Sequence, residues 1–133
     1  MTAITDDRIT LELGSPSGLR ATLNANGSLR RLDCGAITLA LFVGNEIEGG
    51  PANLYLRRHA QRIEWIPLLG PASPTRFSLD ARGTALRGRG TWGDIGYLIE
   101  LTLATGAPAW FWRVQLENHG TAPHSLDLTY TQD

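Results

Sequence analysis

The chain has 133 residues, 42% hydrophobic and 19% charged, with a formal net charge of -1, which is the composition of one ordinary globular domain able to bury a core. Near-neutral charge argues against a dedicated nucleic-acid binder, and one cysteine, Cys34, rules out an internal disulfide. The start MTAITDDRIT lacks the basic and apolar regions of a signal peptide, and no stretch approaches the roughly 20 apolar residues of a membrane helix.

In chain order, Ile9, Leu11 and Leu13 alternate with Arg8, Thr10 and Glu12, the period of two that marks a strand. A turn follows at Gly14-Ser15-Pro16-Ser17-Gly18. LRATL and SLRRLD then flank Asn24-Ala25-Asn26-Gly27. Asn-Gly tolerates positive φ, so this segment predicts a β-hairpin. Ile37, Leu39, Leu41 and Val43 predict another alternating strand. The loop FVGNEIEGGP comes next, carrying Glu46 and Glu48. NLYLRR and the short RIEWI read as strands.

Pro67 to Pro74 holds three prolines and a glycine, which predicts a loop or a sheet rim, because proline lacks the N–H of a central strand. RFSLD and TALRGRG are short strands. IGYLIELTLAT is the longest, with Ile95, Tyr97, Ile99, Leu101 and Leu103 on one face and Glu100 and Thr102 on the other. Gly106-Ala107-Pro108 turns the chain into WFWRVQLEN, where Trp112, Val114 and Leu116 share a face. Asn118-His119-Gly120 turns it again into HSLDLTYTQ. No segment has a helical period. Strands between closely spaced turn signals predict an all-β fold, an antiparallel β-sandwich forming a single domain over 1–133. The sequence stops straight out of a strand, at Thr129 to Asp133. A natural terminus usually trails into poorly ordered residues, so the sequence reads as a fragment of a longer multidomain protein.

Few motifs carry chemistry. All twelve basic side chains are Arg, which suits planar bidentate contacts, although a compositional bias of the source genome explains it without any site. Gly88-Arg89-Gly90-Thr91-Trp92-Gly93 matches the dinucleotide pattern literally, but a strand follows where a helix is required, so its glycines are assigned to turn or bulge geometry. Asn26-Gly27-Ser28 is better explained by the hairpin than by glycosylation. His59, His119, His124 and Cys34 lack metal-ligand spacing, so no metal is expected. There is no nucleophile elbow and no phosphate-binding loop. A catalytic carboxylate pair at Glu46 and Glu48 would need its carboxyl groups roughly 5–10 Å apart across a sugar, and paired loop carboxylates alone do not establish that. Trp92, Trp110 and Trp112 lie near strand ends, and their rings suit either a sugar face or the core, with core favoured by the area they bury.

FVGNEIEGGPANLYLRR, IPLLGPASPTRF, GRGTWGDIGYLIELTLATGAPAWFWRVQLEN and DLTYTQD together resemble the N-terminal β-sandwich of the cellobiose phosphorylase and cyclic β-1,2-glucan synthase family. The likeness runs from about Leu19 to Asp133. It implies a fold similar to galactose mutarotase. In that family a helical linker and an (α/α)-barrel follow the sandwich. The general-acid Asp and the phosphate-binding residues lie in the barrel, and the reaction is the inverting, reversible phosphorolysis of a β-glucosidic bond. No catalytic position can be carried over to this chain. The resemblance implies a cytoplasmic location, or the cytoplasmic side of a membrane-embedded parent.

The expected partners are the helical-barrel catalytic domain of the parent chain, a β-glucan oligosaccharide and a second copy of the chain. No cofactor is expected here, while the parent would use inorganic phosphate. The sequence is short for the complete sandwich, so a truncated sheet with an unpaired, self-associating edge is expected. Candidate carbohydrate-binding or interface residues are Asn45, Glu46, Glu48, Arg57, Trp92, Trp110 and Trp112, with Arg57 or Arg58 pairing to Glu46 or Glu48 and the loop facing the barrel. Three readings stand: a non-catalytic accessory domain, a carbohydrate-binding module using the tryptophans, and a small enzyme using Glu46 and Glu48.

Overall fold

The computed structural model describes residues 10–42 and 50–132. Eleven strands and no helix occur among the described residues. They are β1 (Thr10–Gly14), β2 (Leu19–Asn24), β3 (Leu29–Cys34), β4 (Ile37–Leu41), β5 (Ala52–His59), β6 (Ile63–Pro67), β7 (Arg76–Leu79), β8 (Ala85–Trp92), β9 (Ile95–Leu103), β10 (Trp110–Asn118) and β11 (Ser125–Gln132). They form three sheets, ordered β1-β2-β3-β4, β10-β9-β8-β7 and β11-β5-β6, and each neighbouring pair is antiparallel.

The β7–β10 sheet is one layer, and the other two sheets lie side by side against it. Leu13, Leu19, Ala21, Leu23 and Leu32 of the first sheet cluster with Leu86 and Leu101. Leu54 and Leu56 of the third sheet cluster with Ile95, Tyr97 and Ile99. The predicted inward face of β9 therefore serves both cores, its Leu101 end under the first sheet and its Ile95–Ile99 end under the third. The all-β antiparallel sandwich expected from the alternation is the architecture found.

Local chemistry explains the turns. Between β2 and β3 the backbone N–H of Asn24 donates to Ser28 O at 2.9 Å and that of Gly27 to Asn24 O at 2.9 Å, closing the expected hairpin. Gly27 has φ +81°, and a Cβ there would also run into the Phe77 ring, so glycine is needed twice over. A register shift between Thr22 and Leu23 turns both Leu23 and Asn24 inward, and buried Asn24 is satisfied by donating Nδ2 to Ser28 Oγ at 2.7 Å.

The proline segment is a loop, as expected, but Leu68 and Leu69 within it are buried core residues. Asn53 makes that possible. Its Oδ1 accepts from the Leu69 N–H and its Nδ2 donates to the Leu69 carbonyl, both at 3.2 Å, so the buried loop backbone is paired.

β4 departs from the expected pattern. Ile37, Leu39 and Leu41 form a strand, yet they are 66%, 51% and 60% exposed. β4 is the sheet edge, its register against β3 shifts between Leu32 and Asp33, and of its residues Ala40 alone packs against the core. Ile9 and Val43, predicted to extend the first and fourth strands, lie outside the described residues.

Candidate functional site

From Leu54 onward β5 alternates. Leu54 and Leu56 go inward, which turns Tyr55, Arg57 and His59 onto the outer face of the third sheet. Register then decides their neighbours. Arg57 lies opposite Trp65 on β6 and Asp127 on β11, His59 opposite Ile63 and Ser125, and Tyr55 opposite Pro67 and Thr129.

Asp127 organises this face. Arg57 donates Nε to its Oδ1 and a terminal N–H to its Oδ2, both at 2.7 Å, a bidentate fork. His59 Nε2 meets the same Oδ2. Hydrogen bonds from Arg57 first, and His59 second, hold the Asp127 carboxyl at about 2, below its ordinary 3.8. The same bond to Asp127 raises Arg57 above its usual value.

Trp65 stands beside the pair with its side chain 58% exposed. Its ring meets Tyr55 edge to face, centroids 5.6 Å apart and planes at 74°, which fixes the indole while leaving a broad aromatic surface to solvent. The result is an exposed ring next to a row of planar hydrogen-bonding groups. Such a surface suits a pyranose, whose C–H face is apolar and whose rim is hydroxyl. It does not suit acid catalysis, because Asp127 is held ionised by its partners.

Arg58 points the other way. Its guanidinium lies 4.9 Å over the Trp92 ring and pairs with Glu64. Arg57 and Arg58 therefore take Asp127 and Glu64 as partners; the pairing expected with Glu46 and Glu48 falls, like Asn45, outside the described residues. Trp92 is half-buried beneath Arg58. Trp110 and Trp112 are half-buried against the core and line a gap of ≈ 20 Å³ between the sheets, room for a water molecule but not for a sugar ring. Of the described residues proposed from sequence, the structure brings Arg57 alone to this face.

Trp65, Tyr55, His59 and Asp127 were missed. Ile63, Trp65 and Pro67 share one face of β6 by period two, a signal readable in RIEWIP. The pairing of Arg57 with Asp127, 70 residues away, leaves no local trace. In GRGTWG only Gly93, with φ +57° between β8 and β9, has the turn geometry expected of these glycines; Gly88 and Gly90 lie in regular strand and serve close packing instead, since a Cβ on Gly88 would strike Phe77 and one on Gly90 would overlap the Tyr97 hydroxyl.

The Asp127 carboxyl yields a pH prediction. Its folded value lies below its unfolded one, so its contribution to stability is complete above about 3.8 and is lost as pH falls through about 2. Asp33 and Asp80 are also lowered, so the readout is a difference. Between about pH 5 and pH 2 the thermal midpoint of the wild type should fall more steeply than that of Asp127→Asn; parallel curves would show that the Arg57 fork does not persist in solution.

Residues 22–133, from within β2 to the end of the chain, match a family model described as the SOGP N-terminal domain. A comparison with curated proteins gave no match.

Proposed function

The chain belongs to the SOGP N-terminal domain family, and from its sequence resemblance we propose that it is the non-catalytic N-terminal sandwich of a carbohydrate-active protein of the glycoside phosphorylase and cyclic β-1,2-glucan synthase type. The chemistry, with inorganic phosphate as co-substrate, resides in a helical-barrel domain of the parent chain. The sandwich supplies scaffold, interdomain and dimer contacts near the sugar site.

The observation that carries this reading is apolar surface left uncovered at the sheet edges. Leu126, Leu128 and Tyr130 share one face of β11 by period two. Leu126 packs into the core, but Leu128 and Tyr130 are 44% and 43% exposed. On β4, Ile37, Leu39 and Leu41 are exposed as well. The segment ITLAL has no charge and no proline to blunt its edge, and such edges recruit other chains.

Light scattering across a concentration series should show this chain associating, and Leu39→Glu should return it to a monomer without lowering its thermal midpoint. A wild type that stays monomeric throughout would remove the self-association part of the reading.

A second reading is favoured by the exposed indole of Trp65: the outer face of the third sheet binds β-glucan directly, as a carbohydrate-binding surface does. Its polar complement is Arg57, Asp127 and His59.

A further inference from the structure

The outer face of the β7–β10 sheet carries a second, unrelated arrangement. Arg76 on β7 lies directly opposite Arg89 on β8, and Ser78 opposite Arg87 in the next row. Period two places Arg76 and Ser78 on the same face as Arg87, Arg89 and Thr91, and all five are exposed. They line one cleft of ≈ 860 Å³, open to solvent.

The acids near this cleft are already engaged. Asp80 accepts from the Thr84 hydroxyl and from the backbone N–H groups of Thr84 and Ala85. Glu100 accepts from Arg87 Nε at 2.8 Å. Among the described residues neither Arg76 nor Arg89 has a carboxylate partner.

Two like charges directly opposite on neighbouring strands disfavour the sheet. Each guanidinium offers five donors in a fork and no acceptor, so the row presents ten N–H groups that find no acceptor among the described residues. The Ser78 and Thr91 hydroxyls flank the row on either side.

We propose that the Arg76–Arg89 row is a binding site for a dianionic phosphate group. A dianion neutralises both guanidinium charges, and its tetrahedral oxygens accept from the two forks at once. A single carboxylate offers half that charge and one plane of acceptors. The cleft leaves room beyond the anion, so the phosphate is taken either free or as the monoester of a small polar molecule such as a hexose. The site lies on a different sheet from Trp65, and it stands or falls independently of the glucan-binding reading.

The test is calorimetric titration of the chain with inorganic phosphate and with glucose 1-phosphate, at constant ionic strength, with chloride and acetate as comparators. Saturable binding of a phosphate species is expected. Tighter binding of glucose 1-phosphate identifies the monoester, and equal binding identifies the free anion. Arg76→Gln and Arg89→Gln should each weaken it about ten-fold or more. Arg113→Gln, an exposed arginine on β10, removes the same charge from the same sheet and should leave affinity unchanged.

A folding control comes from the unliganded protein. Relief of repulsion should leave the thermal midpoint of Arg89→Gln equal to or above that of the wild type, while phosphate raises only the wild-type midpoint. Absence of saturation by either phosphate species, or equal weakening by Arg113→Gln, overturns the proposal, the latter by reducing the effect to general charge.

Discussion

Ile99→Ala is expected to lower the unfolding free energy by about 2–5 kcal/mol. Ile99 is fully buried in the middle of β9, paired with Gly88 on one side and Val114 on the other. It packs in the cluster with Leu54, Leu56 and Tyr97, and its Cγ1 sits so close to Gly88 that a Cβ there would clash with it. Truncation opens a hole that the surrounding strands cannot close, because β9 is held by both β8 and β10 from Ile95 to Thr102. A domain with an ordinary stability of about 5–15 kcal/mol would lose a large share of it, and the thermal midpoint should fall by about 10 °C or more. Leu128→Ala, 44% exposed on the uncovered stretch of β11, should by contrast cost within about 0.5 kcal/mol. Denaturation of both variants separates the two cases. A cost below about 1 kcal/mol for Ile99→Ala would mean that the sheets do not close over β9 as described.

Trp65→Ala is expected to abolish glucan binding while leaving the fold intact. The indole is 58% exposed and lies on an outer sheet face, so its removal uncovers little core. On the glucan reading it supplies the stacking surface, and its loss should weaken affinity at least about ten-fold, which is about 1.4 kcal/mol. Titrating tryptophan fluorescence with β-1,2-gluco-oligosaccharides, with cellobiose for comparison, reads this directly. Trp92, Trp110 and Trp112 are half-buried, so the ligand-sensitive emission should come from Trp65 and vanish in the variant. A saturable change that survives Trp65→Ala would move the site elsewhere. No change in the folded wild type would leave the domain as scaffold and interface.

Period two and turn chemistry are local properties, and the sequence carries them in full. The β2–β3 hairpin follows from Asn26-Gly27, because positive φ at Gly27 is a matter of one residue's sterics. The inward face of β9 follows from five apolar residues spaced by two. An all-β antiparallel sandwich was therefore legible without a structure.

The site was not legible in the same way. Nearness to strand ends marks the tryptophans as candidates, yet whether a ring is stacked on, buried or free depends on what lies across the sheet. Trp92 is covered because Arg58 crosses it. Trp110 and Trp112 are covered because two other sheets pack over β10. Trp65 is free because it faces outward on an edge strand.

Alternation and turn residues, read along the chain, yield the strands, their turns and which side chains of a strand share a face. Three further features emerge from how the sheets assemble: β5 pairs with β11 across some 70 residues, bringing Asp127 to Arg57 and His59; β4 displays its apolar face; and Arg76 meets Arg89. The alternation of a strand fixes which way a side chain points, while strand pairing, set by packing over the whole domain, fixes what it meets.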